Sequence, residues 1–148
     1  LFVDAALTVG VGKVTPEAKR LIETTRQALE VGINQVKSGN TIRDIAEAVQ
    51  ARVEEAGFSV VRDLVGHGVG KYVHEPPRIP NFWDGDESPV ELKEGMTICI
   101  EPMVCAGSAA VQTKRDGWTV ETVDCKLAAH FEHTIVVAKD GHEILTKL

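Results

Sequence analysis

Met96-Thr97-Ile98-Cys99-Ile100-Glu101-Pro102-Met103-Val104 is the most strand-like run in the chain, apolar or β-branched almost throughout yet interrupted by a carboxylate. Side chains alternate across a strand, so Thr97, Cys99 and Glu101 share one face while Ile98 and Ile100 take the other. Pro102 brings no N–H, so ladder pairing is expected to stop beside Glu101. A second long strand is predicted over residues 128–137, with His130, Glu132 and Thr134 on one face and Phe131, His133 and Ile135 on the other. Between the two, residues 111–113 and 117–122 form a hairpin signalled by Asp116-Gly117, and Asp140-Gly141 turns the chain into a last strand over 143–146.

Toward the amino terminus the period changes. Thr15-Pro16-Glu17 reads as an N-cap, a proline at the first helical position and an acidic first turn. The stripe Ala18, Leu21, Ile22, Thr25, Ala28 and Leu29 continues the helix to about Gly32. Thr41 and Asp44 open a second helix as a capping-box variant, Ile42, Ile45, Ala46, Val49 and Val53 form its buried stripe, and Gly57 stands at its stop. Residues 58–61 are a short strand. Residues 1–11 read as a strand or strand pair in which Asp4 is either at an exposed edge or paired with a cation or metal. Two helices followed by antiparallel strands make an α+β fold, and 148 residues suit one domain over 1–148.

Net charge is −6, with no Lys/Arg-rich run, so the electrostatic footprint of a nucleic-acid binder is missing. No apolar stretch is long enough to span a membrane, and a soluble protein is expected. Cys99, Cys105 and Cys125 are odd in number and lack C-x-x-C spacing, which disfavours a disulfide framework or a thiolate zinc site and suits a reducing compartment. Between residues 75 and 89 four prolines and the acids Asp84, Asp86 and Glu87 read as an ordered surface loop, solvated and without the spacing of a calcium site.

Gly66-His67-Gly68-Val69-Gly70-Lys71-Tyr72-Val73-His74 places two imidazoles in one short segment, the first between glycines. It reads as a loop in which backbone or a metal approaches closely and the glycines are free to take positive φ. Together with Asp4, Glu101 and Glu132, His67 and His74 are the residues that core packing explains least well. Carboxylates and imidazoles without thiolates suit Mn, Fe, Co or Zn held for hydrolysis. Three converging carboxylates either bind metal or keep a proton. His133, on the opposite face from Glu132, is expected to be a hydrogen-bonded structural histidine, and Cys99 a small buried thiol.

Gly66-His67-Gly68, His74-Glu75-Pro76, Ile100-Glu101-Pro102-Met103 and Phe131-Glu132-His133-Thr134 resemble, in order and spacing, the type I methionine aminopeptidases; the 31 residues from Glu101 to Glu132 leave no room for the insertion of type II members. The resemblance covers essentially the whole chain. It implies a pita-bread fold with two helices on a curved antiparallel sheet. It also implies two divalent ions bridged by Asp4 and Glu132, with His67 and Glu101 completing the coordination of one. Glu101 would be the general base, His74 would hydrogen-bond the substrate, and Trp118 and Val73 would wall its pocket, Val73 standing where an aromatic is common. A fifth ligand, an aspartate, would fall upstream of Leu1, so the resemblance implies a partial catalytic domain, truncated at its amino terminus, that holds about one tight ion and works poorly alone. The partners implied are a peptide or nascent-chain N-terminus and the ribosome, for a cytoplasmic enzyme that is monomeric at full length. Two other expectations compete: a non-catalytic binding module of the same fold, and a proline-directed peptidase.

Overall fold

The computed structural model describes residues 1–85 and 88–147. Asp86 and Glu87 of the acidic loop lie outside the described residues. Helix α1 (Pro16–Ile33) begins where the cap predicts, with the Thr15 hydroxyl accepting from the Ala18 N–H at 3.2 Å. Helix α2 (Ile42–Glu55) opens on the capping box, the Asp44 carboxylate accepting from the Thr41 N–H at 2.7 Å. Gly57, with φ +76°, follows its C-cap in the left-handed conformation that only glycine takes freely. The two helices pack on each other and bury Leu21, Leu29, Ile45, Val49 and Val53 against Ile98, Ile100 and Ile135 of the sheet.

Among the described residues ten short strands follow. β1 (Ser59–Val60) pairs β5 (Met103–Cys105), which pairs β8 (Ala128–His130). The larger sheet has the order β10 (Gly141–Ile144), β9 (His133–Ala138), β4 (Thr97–Ile100), β2 (Gly66–Gly68), β3 (Glu75–Ile79). β6 (Val111–Thr113) and β7 (Val120–Thr122) make the expected hairpin. Every pairing is antiparallel.

Four expectations are corrected. The run 96–104 stops pairing at Glu101-Pro102, as Pro102 predicts, and resumes in a second sheet, whereas the run 128–137, expected as one strand, is broken at Phe131-Glu132. Pro102 cannot donate, and the Glu132 N–H is taken at 2.8 Å by the carbonyl of Ala6. Residues 1–11 form no strand beyond the bridge Ala6 to Glu132. Side chains hold that segment instead: the Thr134 hydroxyl donates to the Asp4 carbonyl and accepts from its N–H, and Thr8 does the same for the backbone of His130. The proline-rich loop contains β3, whose prolines are tolerated because β3 is a sheet edge.

The fourth correction explains the glycines around His67. They lie in a strand at the inside of the sheet, not in a loop, and positive φ is not their purpose. A Cβ on Gly66 would stand 2.2 Å from the Cys99 carbonyl oxygen, and one on Gly68 2.2 Å from that of Pro76. Close approach of neighbouring backbones is the requirement. Gly66→Ala is therefore expected to destabilise the chain by about 3 kcal/mol in urea unfolding, because backbone must move to admit the methyl. An unchanged midpoint would show that the sheet relaxes freely there.

Candidate metal centre

Both strand breaks carry a carboxylate, and the breaks lie side by side. β4 pairs β9 in one sheet, β5 pairs β8 in the other, and Glu101 and Glu132 occupy the crossings between them. At these points the ladder is interrupted and a side chain is turned into the space between the sheets. Asn81, fully buried, donates from Nδ2 to the Glu101 carbonyl at 3.1 Å and so holds the backbone of that crossing.

His67 reaches the same place from β2. Its Nδ1–H donates to the carbonyl of Gly68 at 2.9 Å, which leaves the Nε2 lone pair directed at Glu101 Oε1, 3.5 Å away. His74 follows a turn closed by Glu75, whose carboxylate accepts from the Tyr72 N–H at 2.7 Å. It meets the ring of His67 edge-on, with centroids 4.3 Å apart, and is itself exposed. Val73, half-buried, precedes it.

Asp4 is half-buried, clasped through its backbone by Thr134, and its Oδ1 accepts from the Ala5 N–H at 2.9 Å. It is near enough to act on Glu132 electrostatically, but it is not in the tightest group of ligand atoms. Trp118 is not brought to the carboxylates in this structure: it sits at the tip of the β6–β7 hairpin, 89% exposed. His133 turns away from the centre, Nδ1 meeting the Thr146 hydroxyl at 2.9 Å, and burial lowers its pKa.

His130 was not among the expected site residues, yet its Nε2 lies 3.4 Å from Glu101 Oε2. One ligand atom each from Glu101, His130 and Glu132 falls within 4.8 Å of the others. The sequence offers only its position two residues before Glu132, which marks it as a neighbour and not as a partner of Glu101.

The electrostatics are those of carboxylates forced together. Burial, then the charges of Glu101 and Asp4, push the Glu132 carboxyl up to about 7. The Cys99 thiol beside it is pushed up to about 12, chiefly by burial, so it stays protonated and unreactive at neutral pH.

Two glutamates and two histidines thus meet at the crossing of two sheets; the profile described as Metallopeptidase family M24 matches residues 1–139, and the chain belongs to that family. Within it, relatives 43–49% identical to this chain are methionine aminopeptidases. Methionine aminopeptidase 1 of Bacillus subtilis is 47% identical over 98% of this chain and 58% of its own length. The crystal structure of the Thermotoga maritima methionine aminopeptidase superposes with a TM-score of 0.94 at 47% identity, covering 99% of this chain and 58% of that one. The prolidase of Pyrococcus horikoshii shares the same pita-bread fold with a TM-score of 0.75 at 26% identity, over 98% of this chain and 36% of its own. The chain thus spans a little over half the length of the aminopeptidases it matches.

The family implies divalent metal, and the residues present fit it. Glu132 Oε1 and His130 Nε2 are buried with no hydrogen-bond partner, and His67 Nε2 stands 3.5 Å from a Glu101 carboxylate oxygen. Buried polar atoms without partners are costly, and a bound cation would relieve that cost.

Proposed function

We propose that this chain carries the metal-handling centre of a type I methionine aminopeptidase, which hydrolyses the bond after an N-terminal methionine when the next residue is small. The observation that carries the reading is the meeting of Glu101, Glu132 and His67 at the sheet crossing, in a chain 47% identical to a methionine aminopeptidase. Asp4, His67, Glu101 and Glu132 would hold two divalent ions, drawn from Mn, Fe, Co and Zn. Lewis-acid polarisation of the scissile carbonyl and acidification of a water are the chemistry bound ions supply there.

Glu101 is the group that takes the proton of the attacking water, because it is the less buried of the two glutamates and its oxygens face the imidazoles. His74, exposed beside His67, hydrogen-bonds the substrate peptide, and Val73 lines its approach. Trp118 belongs to this reading only if the hairpin folds over a bound peptide. The partner is a peptide or nascent-chain N-terminus, met at the ribosome by a monomeric cytoplasmic enzyme whose thiols stay reduced. Proline-directed hydrolysis has less support, since the prolidase is only 26% identical. A binding module without catalysis is disfavoured by the presence of Asp4, His67, Glu101 and Glu132.

Two measurements test the reading. Calorimetric titration of the chain with Mn²⁺ or Co²⁺ should show tight binding that weakens at least about tenfold in His67→Ala. In a chain of the relatives' full length, Met-Ala-Ser should be cleaved and Ala-Pro-Ser left intact. No metal affinity, or the reverse peptide preference, would overturn the proposal.

A further inference from the structure

We propose that His130 is a metal ligand, and that Glu101 Oε2, His130 Nε2 and a Glu132 oxygen form a second divalent-cation position beside the one faced by His67. The inference rests on the metallopeptidase reading and departs from the resemblance, which leaves the second ion to Asp4, Glu132 and an aspartate from elsewhere.

The geometry starts from Glu101, whose two oxygens face two different imidazoles. Oε1 is 3.5 Å from His67 Nε2 and Oε2 is 3.4 Å from His130 Nε2. Ligand atoms bound about 2.1 Å from one tetrahedral ion stand about 3.4 Å apart, so both separations match the edge of a coordination shell. Neither is a good hydrogen bond, and His130 Nε2 has no aligned partner although the atom is fully buried. Glu132 closes the site from the next crossing: the residue is 4% exposed and its Oε1 also lacks a partner. Three orphaned or mispaired ligand atoms, from three residues, thus point into one space.

The backbone holds His130 for this task. Thr8 accepts from its N–H and donates to its carbonyl, both at 2.9 Å, at the end of β8 just before the chain crosses to β9. His130 also borders a cavity of about 540 Å³ lined by Met103 and Val120 among others. An imidazole with two carboxylates suits Mn²⁺, Fe²⁺, Co²⁺ and Zn²⁺.

Metal stoichiometry and pulsed EPR test this on the 148-residue chain loaded with Mn²⁺. The expected results are two ions per chain and nitrogen couplings from two inequivalent imidazoles. His130→Gln, which keeps size and polarity, should bind one ion at least about tenfold more tightly than the other and lose one coupling, with the urea midpoint of the metal-free chain unchanged. His67→Ala should keep the coupling that His130→Gln loses. A parent chain that binds Mn²⁺ with a single imidazole coupling, or the same couplings in parent and His130→Gln, would overturn the role of His130 and leave the metallopeptidase reading standing. Absence of any Mn²⁺ binding would overturn both.

Discussion

In a chain of the relatives' full length, Glu101→Gln is expected to lower methionine release from Met-Ala-Ser by about 10²- to 10⁴-fold, the range of a lost general base. Gln keeps the volume of the side chain and removes the charge that accepts the proton. The loss should fall on kcat rather than on substrate affinity, since Glu101 is assigned to the reacting water and not to the peptide. Stability should change little or rise slightly in the metal-free protein, because the Glu101 charge is one of the two that raise the Glu132 carboxyl. Parent-like turnover in Glu101→Gln would remove Glu101 from the mechanism.

The metal-free chain should lose stability as pH rises from about 4.5 through about 7, opposite to the usual behaviour of paired carboxylates. Glu132 has its carboxyl raised from 4.5 to about 7 by burial and by Glu101 and Asp4. A group whose folded pKa lies above its unfolded value stabilises the fold fully below the unfolded pKa, and that contribution disappears as pH passes the folded one. At 1.36 kcal/mol per pKa unit the loss is up to about 3 kcal/mol. Urea midpoints of chelator-treated protein at pH 5 and pH 8 measure it, and Glu132→Gln should flatten the difference. Added Mn²⁺ should restore stability at pH 8, where the ionised carboxylate is free to bind it. Identical pH dependence in parent and Glu132→Gln would show that Glu132 is not strained by its neighbours.

Local chemistry made much of this legible in advance. The ends of both helices rest on Thr15, Pro16, Thr41, Asp44 and Gly57, whose hydrogen bonds and backbone angles are decided within a few residues of the chain. The hairpin at Asp116-Gly117 is equally local, Gly117 taking φ +72°. Glu101, Glu132 and His67 stood out because charged and imidazole groups are out of place in apolar strands. His130 did not, because one histidine at the end of a strand has no local oddity until its partner from another strand is known.

Periodicity and capping within the sequence therefore determined both helices, the hairpin and the α+β class, and marked Glu101, Glu132 and His67 as residues that core packing does not explain. Only the tertiary structure decided that the second long strand breaks at Phe131-Glu132, why Gly66 and Gly68 must lack a Cβ, and that His130 shares Glu101 with His67. These facts depend on groups far apart in the chain: the Ala6 carbonyl that takes the Glu132 N–H, the Cys99 carbonyl against Gly66, and the two oxygens of one carboxylate facing imidazoles 63 residues apart in sequence. Such contacts leave no periodic trace along the chain, because backbone hydrogen bonds and close approaches are made with whichever groups folding brings near.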